Sequence, residues 1–263
     1  KPGQVDEKTA RHHAEMMVGH YVSSRGSFTN FMSLFGLLGQ PAVSLTEDGK
    51  ITVPGLDGLS AGARDWVEVE PFVWRDTNTG ERLAAEVKDG RVVRWSLDAG
   101  SPFMVFEPAP AGVNAAWLNP ALIFALGITL LAAFAWPVRA LVRRSFAANF
   151  VLEGKALRAY RLSRVFAWLV LAAVIGWAGL VAVFSADIGS IGGPLDWLIH
   201  LLRILTPVAA LGLLAAAVWH FWLSIQGKRR WTMKLGAMLL VLAALILAWV
   251  TLAFHHYGFG MVY

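Results

Sequence analysis

Apolar and polar positions follow two different rhythms along this chain. From about residue 118 onward, long apolar runs recur: Leu118–Val138, Val165–Phe184, Leu201–Leu223 and Leu235–Phe254. Each has roughly the 20 residues a helix needs to cross a ~30 Å hydrocarbon layer. None carries a charge in its central part, Arg203 lying near an end. Amides in lipid have no water to bond, so such runs pair their own backbone groups as helices. The pattern predicts four transmembrane helices within residues 111–263.

The first 110 residues read differently. Asp6 is placed to cap a helix whose apolar positions Ala10, Ala14, Met17 and Val18 follow helical spacing, with Gly19 as the stop. The apolar stretch Phe28–Leu38 is too short to span a bilayer and reads as a core helix or a helix lying on a neighbouring surface. Residues 1–40 thus read as a helical linker region. From Ala42 the pattern changes to short strands. Val43 and Leu45 alternate before Glu47-Asp48-Gly49-Lys50, and Ile51 and Val53 alternate after it, which is a hairpin signature. A longer strand is expected over Trp66–Arg75, closed by a turn at Asp76–Gly80. Arg82–Lys88, with Leu83, Ala85 and Val87 on one face, turns at Asp89-Gly90 into Arg91–Ser96, and Ser101–Phe106 completes a meander. Pro108, Pro110 and Gly112 form a linker into the first span. The fold class is therefore an α-helical bundle of four transmembrane helices preceded by a small soluble α+β domain. Residues 41–110 of that domain form an antiparallel β-meander or partial barrel of about six strands.

Charge sharpens this division. Residues 1–117 carry 11 Lys and Arg against 15 Asp and Glu, a net of −4, whereas residues 118–263 carry 12 against 3, a net of +9. The basic overall balance of +5 therefore belongs to connections between apolar runs, and the half able to offer a groove is acidic. Nucleic acid is not an expected partner. Arg139, Arg143, Arg144, Lys155, Arg158, Arg161 and Arg164 lie between the first two runs, and Lys228, Arg229, Arg230 and Lys234 between the last two. The Ser185–Trp197 connection has Asp187 and Asp196 and no basic residue, and the tail after Phe254 has none either. Eleven of the 12 basic residues thus fall on one face, which the positive-inside rule makes cytoplasmic. Residues 1–117 and the carboxyl terminus are then expected on the opposite, outer side of the membrane. Trp117 and Trp136 bracket the first run as interfacial aromatics do. The chain has no cysteine, so disulfides, thiolate metal sites and thiol nucleophiles are excluded.

Candidate chemistry is sparse. Gly58-Leu59-Ser60-Ala61-Gly62 matches the G-x-S-x-G elbow, but no buried strand runs into it, and the downstream histidines His200, His220, His255 and His256 lie in or beside the membrane. His12 and Glu15, at i,i+3, have the spacing of a metal pair without an evident third ligand. His13 points about 100° away from His12. All three read as a surface helix face, and His255-His256 reads as interfacial. No Ser is followed three residues later by Lys, and Lys8-Thr9-Ala10 lies on a helix rather than a strand, so the S-x-x-K and K-T-G set of β-lactamase-type enzymes is incomplete. No catalytic, cofactor-binding or metal-binding residue is assigned, and no cofactor is expected. Within the runs, Ala172, Gly176 and Gly179 suit close helix packing. Thr129, Thr206 and Pro207 are the features a transporter component would use. His200 and His220, 20 residues apart, are too far separated to share a ligand.

His20-Tyr21-Val22-Ser23-Ser24-Arg25, Thr29-Asn30-Phe31, the Trp66–Arg75 segment with Gly80-Glu81-Arg82-Leu83-Ala84-Ala85, and Trp117-Leu118-Asn119-Pro120 leading to Trp136-Pro137 and Arg143-Arg144 share a pattern. Together they resemble the carboxyl-terminal region of bacterial membrane-bound serine hydrolases of the β-lactamase and penicillin-binding-protein-like family. The resemblance covers nearly the whole chain. It implies an exported catalytic domain upstream of Lys1, then a small β-rich domain, then membrane helices. This matches the lack of an export signal in Lys1–Ser24. The catalytic serine, lysine and tyrosine of that family would lie upstream, and none is carried over here. The expected role is membrane anchor and accessory β-domain of such a hydrolase, its partners being the lipid bilayer and the catalytic domain, with a homo-oligomer compatible. The alternative is a non-enzymatic membrane subunit or sensor that binds a partner or ligand through its outer domain, with Phe28, Phe31, Met32, Phe35 and Leu38 as contact surface.

Overall fold

A computed structural model describes residues 5–27, 29, 32–55, 64–100, 104–147, 152–187, 193–227 and 229–256. The backbone divides into two compact units, one of residues 1–28 and 32–118, the other of residues 29–31 and 119–263.

In the first unit, helix α1 (Glu7–Met17) starts where expected: the Asp6 carboxylate accepts the Thr9 N–H at 3.1 Å. Ala14 and Met17 face the core, Val18 is already extended, and strand β1 (Gly19–Ser23) follows. Then come α2 (Ser33–Leu38), β2 (Ala42–Leu45), β3 (Ile51–Thr52), β4 (Trp66–Glu70), β5 (Val73–Asp76), β6 (Arg82–Lys88), β7 (Arg91–Leu97) and β8 (Phe106–Pro108). The eight strands form one antiparallel, nearly closed sheet in the order β3-β2-β1-β8-β7-β6-β5-β4. Two local meanders, β1–β3 and β4–β8, are thus joined by pairing β1 with β8, Tyr21 opposite Pro108 and Ser23 opposite Phe106.

The predicted turns are present. β2 and β3 pair Leu45 with Ile51 across a turn carrying Gly49 at φ 77°, and Asp89-Gly90 joins β6 to β7 with both residues at positive φ. That pair of left-handed residues matches the right-handed twist of the flanking strands. Three features differ from expectation. The Trp66–Arg75 strand is two strands, because Pro71 offers no N–H to a ladder and Phe72 turns the chain at φ 61°. Gly19–Ser23, expected to belong to a helical linker, is a central strand. Pro108 ends β8 opposite Tyr21 instead of opening a linker, and residues 101–103 of the expected last strand lie outside the described residues. Of the Phe28–Leu38 stretch, α2 takes only the last six residues, burying Leu37 and leaving Leu38 69% exposed; Phe28, Phe31 and the side chain of Phe35 lie outside the described residues.

The core of this unit is aromatic. Trp66, Trp74 and Trp95 are buried, Trp95 stacks on Phe106 at 4.2 Å, and Tyr21 meets Trp95 edge-on at 5.7 Å. The Tyr21 hydroxyl donates to the Met17 carbonyl at 2.7 Å, and burial pushes its pKa up to about 12. Gln40 ties the chain down ahead of the next helix, donating to the Val113 carbonyl at 2.7 Å and accepting the Ala115 N–H at 2.8 Å.

The four expected spans are four long apolar helices: α3 (Ala115–Ser145), α4 (Gly154–Ala186), α5 (Asp196–Gln226) and α6 (Trp231–Ala253). The chain is a multi-pass membrane protein. α3 and α4, at 31 and 33 residues, are about 46 and 50 Å long, well beyond a ~30 Å hydrocarbon layer. The basic residues assigned to a connection therefore sit on helix ends that outrun the apolar core. The bundle interior is mostly alanine and leucine, with Ala125, Ala133, Ala167, Ala209, Ala217, Ala243 and Ala244 buried, as in helices that pack without a hydrophobic drive between them. Close approach of α4 and α5 depends on two glycines: a methyl at Gly176 would lie 2.6 Å from Leu202, and one at Gly212 would overlap the Phe166 ring. Large apolar side chains such as Ile123 and Ile175, 73% and 71% exposed, point outward as lipid contact requires. Buried hydroxyls of Thr129, Ser163, Ser224 and Thr251 bond carbonyls three or four residues back, which satisfies them within their own helix.

Candidate functional site in the helix bundle

Among the described residues of the membrane half, a concentration of polar groups with space beside it lies where α4 meets α5. On α4, Tyr160, Ser163 and Arg164 fall at i, i+3 and i+4 and share a face. Arg164 is 9% exposed, and its guanidinium carbon lies 4.7 Å from the centre of the Tyr160 ring. The Tyr160 ring also meets His220 of α5, edge-on with ring centres 5.6 Å apart. One turn on, the Ser224 hydroxyl donates to the His220 carbonyl at 2.7 Å and accepts from Arg229 at 3.0 Å.

These residues border a cavity of about 330 Å³ between the four helices. Arg164 and His220 are buried within it, while Arg139 of α3 and Thr232 of α6 are exposed at its edge. Ile128, Leu131, Ala132 and Leu239 supply an apolar wall. Two arginines face this space, and none of the described lining residues is acidic. Arg164 Nε and Nη1 and His220 Nδ1 are buried with no hydrogen-bond partner among the described residues. A buried cation in such a place is costly unless an anion completes it. The chemistry is that of an anion site with an apolar flank.

A second polar cluster sits where α4, α5 and the end of α6 meet at the opposite end of the spans. Trp177 Nε1 donates to the Thr206 hydroxyl at 2.9 Å, and the Thr206 hydroxyl donates to the Leu202 carbonyl at 2.7 Å. His256 packs edge-on against Trp177 at 5.3 Å and is 3% exposed. His256 is therefore packed inside the bundle just past the end of α6. Thr206, together with Pro207, serves helix geometry here: the hydroxyl bonds back one turn where the proline interrupts the ladder.

In the soluble half, His13 is not a surface residue. Its Nδ1 lies 2.7 Å from Glu68 Oε1, and its ring lies tilted against Phe72 with ring centres 3.9 Å apart. The same Glu68 oxygen accepts the Phe72 N–H at 2.7 Å, so this pair fastens α1 to the β4–β5 turn. Glu15 pairs with Arg11 at 3.5 Å, and His12 stays exposed, so His12 and Glu15 are not brought together with a third ligand. No group of three or more metal-ligating side chains occurs among the described residues. Gly58–Gly62, with Ser60, lies outside the described residues.

The Arg164 cavity escapes sequence reading for a definite reason. Arg164 directly precedes the Val165–Phe184 run and counts there as a loop cation, while His220 looks isolated because its neighbours come from other helices. The available signal was the Tyr160/Arg164 and His220/Ser224 spacing of four at the same end of adjacent spans. Set against known protein families, characterised proteins and solved structures, the chain matches none.

Proposed function

We propose that this chain is the membrane anchor and accessory β-domain of an exported serine hydrolase of the β-lactamase-like kind. In this reading the β-domain and the carboxyl terminus lie on the outer face of a bacterial plasma membrane. The observation that carries the orientation is that 11 of the 12 basic residues after position 117 fall at one end of the spans. An even number of spans then puts the β-domain and the carboxyl terminus on the same, opposite side. The resemblance described above supplies the enzyme class. The acyl-serine chemistry would belong to a catalytic domain on the same polypeptide or a partner chain, since no Ser in residues 1–263 is followed three residues later by Lys. The sheet's short turns and its aromatic core suit a rigid spacer that holds a catalytic domain close to the bilayer.

Residues 1–263 contain no cysteine, so one introduced among them reports on orientation. Lys88→Cys, in the β6–β7 hairpin, should react with a membrane-impermeant maleimide in intact cells. Arg158→Cys, in the first turns of α4, should react only after permeabilisation. The reverse pattern would rule out an outward-facing anchor. For the enzyme class, a fluorophosphonate probe should label the polypeptide or complex that carries this chain at a serine outside residues 1–263; labelling at Ser60 would contradict the proposal. Co-purification of a separately encoded partner with no probe-reactive serine would favour the non-enzymatic subunit or sensor instead.

A further inference from the structure

We infer that the cavity bordered by Arg164, Arg139, His220 and Tyr160 binds the phosphate group of an anionic lipid from the leaflet at the basic end of the bundle. Four observations converge on it. The first is depth: the apolar run Val165–Phe184 has 20 residues and rises about 30 Å, so Arg164, directly before it, sits at the hydrocarbon–headgroup boundary. Arg139, directly after Val138, sits at the same level on α3. The second is charge: two guanidiniums line the space, with no acidic side chain among the described lining residues.

The third is unmet bonding. Arg164 is more than nine-tenths buried and leaves Nε and Nη1 without hydrogen-bond partners, beside the similarly unmet His220 Nδ1. A phosphate can accept from all three, and a planar guanidinium matches two of its oxygens at once. The fourth is shape. About 330 Å³ is within the range of small-ligand sites, and Ile128, Leu131 and Leu239 form an apolar flank along which an acyl chain can lie. A fully hydrated anion has no use for that flank, whereas a lipid does. Basic pockets between transmembrane helices at headgroup depth are suited to such headgroups. Binding here is independent of which enzyme, if any, the bundle anchors.

The test uses the full chain in detergent, with phosphatidylglycerol, phosphatidylcholine or inorganic phosphate added, read by native mass spectrometry and by thermal stabilisation. Wild type should retain phosphatidylglycerol in preference to phosphatidylcholine. Arg164→Gln and, separately, Arg139→Gln should each lower that retention by about fivefold or more, the factor that loss of ~1 kcal/mol per basic residue produces. Arg143→Gln and Arg144→Gln, on the exposed end of α3, should lower it by less than about twofold. Circular dichroism and gel filtration check that each variant is folded; if Arg164→Gln is not, Arg139→Gln and His220→Ala carry the comparison. Equal retention of the two lipids overturns the inference, as does equal loss from all four arginine variants, which indicates diffuse surface attraction. Stabilisation by inorganic phosphate that equals the lipid's identifies a soluble phosphate ester as the ligand and overturns the assignment to lipid.

Discussion

Asp76→Asn removes the unit negative charge from a carboxylate that accepts four hydrogen bonds, and its cost can be worked out bond by bond. Asp76 is fully buried at the end of β5. Its Oδ1 accepts the N–H groups of Asp65 at 2.9 Å and Asn78 at 3.3 Å, while Oδ2 accepts the Thr79 N–H at 3.2 Å and the Thr79 hydroxyl at 2.6 Å. These four bonds tie the start of β4 to the β5–β6 turn. An amide must place its NH2 at one of the two oxygen positions. The Oδ2 side is the cheaper choice, because the Thr79 hydroxyl can rotate to accept while the Thr79 N–H, on an exposed residue, turns to water. The remaining loss is one charge-assisted bond outright and the charge in the others, about 2–3 kcal/mol. In hydrogen exchange on the full chain in detergent, amides of residues 66–98 should exchange about 30- to 150-fold faster than in wild type.

The pH dependence of this difference provides its own control. Burial raises the Asp76 carboxyl, but the bonds from Thr79, Asp65 and Asn78 outweigh it and hold the carboxyl below its ordinary value of 3.8. A lowered native pKa means the contribution is complete above 3.8 and is lost as pH falls through the lower native value. The gap between Asp76→Asn and wild type should therefore hold from neutrality to about pH 5 and close on further acidification. A variant that exchanges at the wild-type rate at pH 7, or a gap that widens in acid, would refute the bond assignment.

Other expectations follow from the same structure. Trp95→Ala removes a buried ring that contacts Phe106 and Tyr21, and should destabilise the β-unit by about 3–5 kcal/mol, read by proteolysis of residues 1–117 in the full chain. Glu68→Ala frees the Phe72 N–H and deprives His13 of its partner. A loss of about 1–3 kcal/mol is expected, seen as faster exchange confined to the β4–β5 hairpin, with Glu68→Gln recovering part of it. Gly212→Ala forces the Phe166 ring aside and should lower the thermal midpoint in detergent, at a cost of about 1–3 kcal/mol. Gly179→Ala, where nothing lies within 4 Å, should leave the midpoint unchanged or slightly raised.

What the chain declares locally could be read from it directly. The four spans depend only on the length and hydropathy of continuous runs, the α1 start on Asp6 and Thr9, and the β6–β7 turn on the neighbours Asp89 and Gly90. Each of these is settled within a few residues of itself, before any tertiary contact forms. Local pattern failed where a long-range partner decided the outcome. Gly19–Ser23 becomes a central strand because Phe106–Pro108 pairs with it, more than 80 residues away, and that pairing also joins two meanders into one sheet. His13 turns inward because Glu68 is there to meet it. The cationic cavity is the clearest case: Arg139, Arg164, His220 and Thr232 come from four different helices, and hydropathy along one helix carries no information about which faces meet. Helix faces are chosen by small residues such as Gly176 and Gly212 and by the side chains they admit, so only the assembled bundle brings these polar groups into one space.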